Sequence, residues 1–351
     1  MLAKFILIGG VLMSQVLHFC IVFGVWASLA STQASVLVNG AGSTFAEPIY
    51  SKWFTEYQKN EKGFKFNYQG TGSGAGIKQM IAGTVDFAGT DDPMSKEDIA
   101  KTGPVIHVPI AMGAVVVSYN LAGVEKPLQL TGEVVAKIFN GQIKKWSDPA
   151  LVALNNGVKF PNSDIIVVTR SDSSGTTAVF SDYLAKVSPA WQGKNGKTVE
   201  WFKGSVGQRG NTGVAGYIRQ TPGAIGYVEL VYAKQTGLPF AAIQNKKGQM
   251  ILASVESVSE SAQGVTEEMV KNGFKLSLTN SPRDNAYPIS AFTWMLVYET
   301  LPKGKGEGVL NFAKWAIKDE AQAMAAKINY ASVPKPIRDE VAKALAKVKL
   351  K

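Results

Sequence analysis

One cysteine and two histidines are all that 351 residues hold of the residue types that thiol, zinc and most nucleophilic chemistry require. Cys20 and His18 both sit in an apolar N-terminal stretch, so a chain trimmed of that stretch would keep His107 and no cysteine. Disulfide and thiolate chemistry are then closed to it. His107 lies in the apolar context Val105-Ile106-His107-Val108-Pro109 and reads as a packed strand residue rather than a catalytic base. A zinc cluster lacks ligands, and a Ser-His-Asp triad would have to recruit that one strand histidine. No metal or cofactor is expected. No serine stands in a G-x-S-x-G elbow. Gly196-Lys197-Thr198 resembles the end of a P-loop, but Trp191 occupies the place of the required first glycine.

What is present begins with a leader. Lys4 supplies a short basic start, and Phe5 to Leu29 form an apolar run without acidic or basic charge. Ala30-Ser31 and Gln33-Ala34-Ser35 offer small residues for a signal peptidase, so residues 1–34 are expected to be a signal peptide. About twenty such residues can also span a bilayer, and an uncleaved anchor is the alternative. Phe19 before Cys20 does not suit lipid attachment. The remaining length suffices for two ordinary domains. The net charge of +10 raises the question of nucleic acid, yet the lysines are scattered and no arginine-rich arm appears. A solvated basic surface is the expectation, with no nucleic-acid partner.

Short β-branched runs alternate with helical patterns, which predicts an α/β architecture. Strands are expected at Ser35 to Asn39, Phe64 to Gln69, Val85 to Gly89, Asp164 to Thr169 and Ala224 to Val228. A strand-like run from Val105 to Tyr119 is interrupted at Gly113, after which the pattern restarts. Helices are expected with Ile49, Trp53, Phe54 and Tyr57 on one face, around Ile77 to Ile81, over Thr131 to Phe139, over Thr176 to Lys186 and around Val214 to Arg219. Ser95-Lys96-Glu97-Asp98 resembles a capping box. Gly70 to Gly76, Gly204 to Gly213 and Pro302 to Gly308 read as loops, and two helices near Phe312 to Ile328 and Pro336 to Leu350 end the chain.

Three times in the first ninety residues a strand ends in small or hydroxylated residues just before a helix starts. Arg170-Ser171-Asp172-Ser173-Ser174-Gly175-Thr176 is a fourth instance. The free N–H groups and dipole of a helix start favour anions, and glycine lets the backbone come close. Ordinary capping explains any one of these loops. Four together, with Arg170 and Asp91 at two of them, suit a tetrahedral oxyanion gripped by a guanidinium fork.

These stretches resemble the periplasmic phosphate-binding proteins of high-affinity phosphate ABC transporters, over essentially the whole chain after the leader. The resemblance is carried by Gly40-Ala41-Gly42-Ser43-Thr44-Phe45, Tyr68-Gln69-Gly70-Thr71-Gly72-Ser73-Gly74 and Val85-Asp86-Phe87-Ala88-Gly89-Thr90-Asp91. It continues through Gly141-Gln142-Ile143-Lys144-Lys145-Trp146, the Arg170 to Thr176 stretch, and Pro222-Gly223-Ala224-Ile225-Gly226-Tyr227-Val228. It implies phosphate ligands at Thr44 and Phe45 (hydroxyl and backbone N–H), Ser73, Asp91, Arg170, Ser174, Gly175 and Thr176, with Asp172 orienting the arginine. Asp92 stands where the family often has a small residue, and Ser73-Gly74 replaces a more usual Ser-Ser pair. The resemblance further implies a type II two-lobe binding-protein fold joined by two hinge strands: residues 35–110 and 286–351 in one lobe, 111–285 in the other. A periplasmic monomer delivering inorganic phosphate to membrane permease subunits is the implied role.

Asp91 fits that role by chemistry. Phosphate near neutral pH keeps a proton that a carboxylate can accept, whereas sulfate would leave two charges facing each other. A helix cap or a turn with Pro93 is the plainer reading of Asp91. A phosphatase-like hydrolase, a binding protein for sulfate or another oxyanion, and a surface adhesion protein are the rival functions.

Overall fold

Parallel strand–helix–strand units build both ends of one eight-stranded sheet, and two long antiparallel strands join them in the middle. The computed structural model describes residues 35–124 and 126–351. The expected signal peptide, residues 1–34, lies outside the described residues.

The first end begins with β1 (Val36–Gly42), α1 (Glu47–Asn60) and β2 (Phe64–Gly70). Ile49, Trp53, Phe54 and Tyr57 recur at helical spacing and are buried, as the periodicity predicts. Then come α2 (Ser73–Ile81) and β3 (Phe87–Thr90), with β1 lying parallel between β2 and β3. The glycine-rich pattern predicts loop for the whole run Gly70 to Gly76, but α2 starts at Ser73. Glycine is a poor helix former, and local preference is overruled here by close packing. A Cβ on Gly76 would lie 2.4 Å from Gly42 Cα, so only glycine lets α2 settle on β1. Helix α3 (Lys96–Thr102) starts at Ser95, whose hydroxyl accepts the Asp98 N–H at 3.0 Å, as the capping pattern predicts.

Strand β4 (Val105–Tyr119) runs unbroken for 15 residues, so the expected interruption at Gly113 does not occur. The glycine is there for space: a Cβ would stand 2.7 Å from the Phe45 ring. After β5 (Gln129–Leu130), which is not one of the eight strands, come α4 (Gly132–Phe139) and α5 (Pro149–Leu154), and the other end of the sheet begins with β6 (Ile166–Arg170) and α6 (Gly175–Val187). It is completed by β7 (Val206–Gln208), α7 (Gly210–Gln220), β8 (Ala224–Glu229) and α8 (Leu230–Thr236). Gly204 to Gly213 is therefore not a loop throughout. Pairing with β6 recruits Val206–Gln208 as an edge strand, a tertiary gain that short glycine-rich sequence does not advertise.

The chain continues with β9 (Ala242–Gln244), β10 (Met250–Ile251), α9 (Val255–Ser261), α10 (Thr266–Lys271) and β11 (Ser290–Tyr298). It closes with β12 (Thr300–Leu301), α11 (Lys305–Ala316), α12 (Asp319–Lys327), α13 (Lys335–Leu345) and β13 (Lys349–Leu350). Three helices replace the two expected, and α11 takes up part of the supposed loop Pro302 to Gly308. The break between α11 and α12 is held by Arg338, which donates to the Ile317 carbonyl at 2.7 Å and to Asp319 at 2.8 Å.

The sheet order is β2-β1-β3-β11-β4-β8-β6-β7. Along Val105 to Ala114, β4 pairs with β11; along Val115 to Tyr119 it pairs with β8. One strand thus belongs to two half-sheets, each backed by helices, which is the two-lobe α/β architecture. The first half buries an aromatic cluster, with Phe54 5.0 Å from Phe312 and 5.1 Å from Phe66. Burying each such ring contributes about 2–3 kcal/mol.

Candidate anion-binding site

In open parallel sheets, the carboxyl ends of the strands and the helix starts beyond them face one crevice. Here two half-sheets turn those ends toward each other. Ser43, Thr44 and Phe45 follow β1, Ser73 follows β2, and Asp91 follows β3. From the other half come Arg170 at the end of β6, Ser174, Gly175 and Thr176 at the start of α6, and Asn211 after β7. All of these residues are buried.

The Asp91 carboxylate, 3% exposed, gathers three hydroxyls. Ser43 Oγ donates to Oδ2 at 2.5 Å, Ser73 Oγ to the same oxygen at 3.4 Å, and Thr293 Oγ1 of β11 to Oδ1 at 2.7 Å. Burial pushes its pKa up to about 6, while the Ser43 and Thr293 bonds and the nearby Arg170 charge pull it down. Asp92 has a different fate. Its Oδ2 takes the Lys197 ammonium at 2.5 Å, and its side chain is 36% exposed.

Arg170 is locked by Asp172 in a bidentate pair, Nε to Oδ1 at 2.7 Å and Nη2 to Oδ2 at 2.6 Å. Asp172 Oδ1 also accepts the Gly210 N–H at 3.1 Å. Its own carboxyl is held below the ordinary value because these donors outweigh its burial. The remaining guanidinium nitrogen, Nη1, is buried and has no hydrogen-bond partner among the described residues. An unmatched buried cation is costly, and such a group marks a place for an acceptor.

The two halves touch directly. Gly74 N–H donates to the Ser173 carbonyl at 3.0 Å, and a Cβ on Gly74 would lie 2.0 Å from Ser173 Oγ. The departure from a Ser-Ser pair at 73–74 therefore accompanies Ser173 filling that space. A Cβ on Gly175 would lie 2.3 Å from Ser73 Oγ and 2.5 Å from Asp91 Oδ2. Beside Asp91 a cavity of about 250 Å³ is lined from both halves, by Pro93 and Trp294 among others on one side and Val179 and Asp182 on the other.

The structure thus brings Thr44, Ser73, Asp91, Arg170, Ser174, Gly175 and Thr176 into one buried cluster. Phe45 is there too, with its N–H donated to Ser43 Oγ at 3.0 Å. Ser174 Oγ accepts the Thr177 N–H at 3.1 Å and so caps α6. Sequence reading missed Ser43, Thr293, Asn211 and Lys197. Ser43 stood inside a marked stretch, but nothing in the strand sequence around Thr293 signals a contact 202 positions away. His107 lies in β4, 2% exposed, and its Nε2 accepts the Met94 N–H at 3.0 Å. Burial, with Lys275 and Lys197 nearby, lowers its pKa to about 3. Among the described residues no cluster of three or more His, Cys, Asp or Glu could hold a metal, and no helix is long and apolar enough to cross a membrane.

A profile for the PBP superfamily domain matches residues 29–320. The chain belongs to the PBP superfamily. Within that superfamily it is 39% identical over 320 residues to the phosphate-binding protein PstS of Pasteurella multocida, spanning 90% of this chain and 92% of the relative. It is 42% identical over 303 residues to the phosphate-binding protein PstS of Haemophilus influenzae, spanning 85% and 89%. A solved structure of a high affinity periplasmic phosphate-binding protein, PfluDING, bound with phosphate, superposes with a TM-score of 0.72. At 19% identity over 87% of this chain and 93% of that one, it shows the shared superfamily fold.

Proposed function

We propose that this protein binds inorganic phosphate outside the cytoplasmic membrane and delivers it to a phosphate ABC importer. The observation that carries the reading is the pairing of opposite needs in one buried cluster. Arg170 Nη1 lacks an acceptor among the described residues, and Asp91 presents a carboxylate that favours a proton donor. A ligand that satisfies both is an oxyanion that still carries a proton, which phosphate is at neutral pH and sulfate is not.

Thr44, Phe45, Ser73, Asp91, Arg170, Ser174, Gly175 and Thr176 form the ligand shell in this reading, with Asp172 fixing the arginine fork. The lobes comprise residues 35–110 with 286–351, and residues 111–285. The exchange of β4 partners at Ala114 and Val115 supports a hinge close to the first boundary. Because donors come from both lobes, phosphate favours the closed form, and that form docks as a monomer on the membrane permease subunits. The apolar leader supports export to the periplasm. No catalytic step is part of the proposal: His107 Nε2 is already taken by the Met94 N–H and cannot serve a serine as base. Calorimetric titration of the ligand-stripped protein, lacking residues 1–34, with phosphate and with sulfate tests the reading. Phosphate uptake with sulfate rejected is expected; no phosphate uptake, or equal uptake of both, sinks it.

A further inference from the structure

Asn211 is fully buried at the start of α7 and bonds to a residue of each half of the site. Its Nδ2 donates to Thr44 Oγ1 at 2.9 Å and to Thr176 Oγ1 at 3.1 Å, and its backbone N–H also donates to Thr44 Oγ1 at 3.2 Å. The amide cannot be turned round. Its Oδ1 accepts the Glu229 N–H at 2.9 Å, and a backbone N–H can only donate, so the NH₂ end must face the two hydroxyls.

A hydroxyl has one proton to give and two lone pairs to receive. At Thr44 both lone pairs are filled by donors of Asn211, so its proton is forced outward as a donor. At Thr176 one lone pair is filled, and the rotor is biased the same way. Among the described residues no protein acceptor takes the proton of either hydroxyl. We infer that Asn211 is a positioning residue that sets the polarity of the site: it compels Thr44 and Thr176 to act as donors, so that their side of the ligand must be unprotonated oxygen. Asp91, on the same ligand, then takes the protonated oxygen. Specificity for a singly oriented, partly protonated oxyanion arises from this opposition rather than from Asp91 alone. The inference rests on the phosphate reading above. It also couples closure to chemistry, because Thr44 belongs to one half-sheet while Asn211 and Thr176 belong to the other. Thr44 becomes an obligate donor only when the halves meet.

Asn211→Asp tests it with nearly constant shape. A carboxylate at 211 accepts the protons of Thr44 and Thr176 and turns both hydroxyls away from the ligand. Phosphate affinity at pH 8 should fall by about 100-fold or more, the loss of two hydrogen bonds to a charged ligand. As pH falls and the new carboxyl gains a proton, it becomes a donor again, so the ratio of variant to wild-type Kd should shrink toward pH 5. Asp91, Asp172, Glu229 and the Arg170 guanidinium face the site in both proteins, and the ratio isolates position 211. Because the new carboxylate also repels the anion by charge alone, the same ratio is measured in the Thr44→Val background; a ratio that is flat with pH, or as large in that background as with Thr44 intact, overturns the inference. Should Asn211→Asp not fold, Asn211→Ala is compared in wild type and in Thr44→Val. Its cost should drop at least threefold in the valine background, and equal costs overturn the inference. A wild-type protein that takes up no phosphate overturns the phosphate reading itself, and this inference with it.

Discussion

Lys197 and Asp92 form an ion pair across the cleft, Nζ to Oδ2 at 2.5 Å, with both side chains partly exposed. The lysine of the incomplete P-loop thus bridges the two halves, and the same loop accepts the Ser174 N–H through the Lys197 carbonyl at 2.8 Å. Partly exposed pairs contribute about 0–1 kcal/mol and weaken with salt. Asp92→Asn should therefore reduce phosphate affinity less than about tenfold, with the gap to wild type closing at high ionic strength. Titrations at low and high salt check this. A loss as large as that of Asp91→Asn would reassign the ligand-facing carboxylate to Asp92.

Asp91→Asn should weaken phosphate and admit sulfate, since the amide offers a donor where the carboxylate offers a charge. In wild type the same relaxation should come with acid. Asp91 gains a proton as pH falls through about 6 and can then donate to a fully deprotonated anion. Sulfate affinity rising below pH 6 in wild type, and nearly flat in the variant, is the expected calorimetric pattern.

The raised pKa of Asp91 also has a sign for stability. Native Asp91 holds its proton more tightly than the unfolded chain, whose value is the ordinary 3.8. Its contribution is fully present below pH 4 and is lost as pH rises through about 6, amounting to about 3 kcal/mol. Ligand-free Asp91→Asn should melt several degrees above ligand-free wild type at pH 7.5, and the gap should vanish below pH 4. Scanning calorimetry over that range decides it.

Arg170→Ala removes the guanidinium of the cluster and leaves Asp172 without the partner it holds at 2.6 Å. Loss of one member of a buried charged pair costs about 3–5 kcal/mol. Phosphate affinity should fall by two to four powers of ten at that cost. A negligible calorimetric change would place the anion elsewhere.

Gly175→Ala puts a methyl group against Ser73 Oγ and Asp91 Oδ2, at 2.3 and 2.5 Å before relaxation. Overpacking of this kind costs about 1–3 kcal/mol, here levied on closure. Phosphate affinity should drop by roughly 10- to 100-fold with little change in the melting temperature of the ligand-free protein. Small-angle scattering with phosphate present should record a more open shape than wild type.

Much of the site was readable because it is built from local devices. Strand ends, hydroxylated loops and helix starts lie within a few residues of one another, so Ser43 to Phe45, Ser73, Asp91 and Arg170 to Thr176 stood out as stretches. The Arg170–Asp172 pair spans two positions and needs no fold to be suspected. Glycine was the least informative letter. At 76 and 113 it marks close packing inside a helix and a strand where the pattern alone predicts loop or interruption, since a sequence does not say whether a missing side chain frees the backbone or makes room for a neighbour.

By itself the sequence determined that α/β units would present hydroxylated strand ends and helix starts, because hydrophobic period and capping act over a few residues, while the resemblance to phosphate-binding proteins singled out the residues proposed to hold a protonated oxyanion. Only the tertiary structure decided that Asp91 rather than Asp92 turns inward, that Thr293 holds its other oxygen, and that Asn211 orients the threonines of both halves. Those choices depend on which surfaces meet when β4 joins the two half-sheets, and burial and hydrogen-bond saturation exist only once they have met.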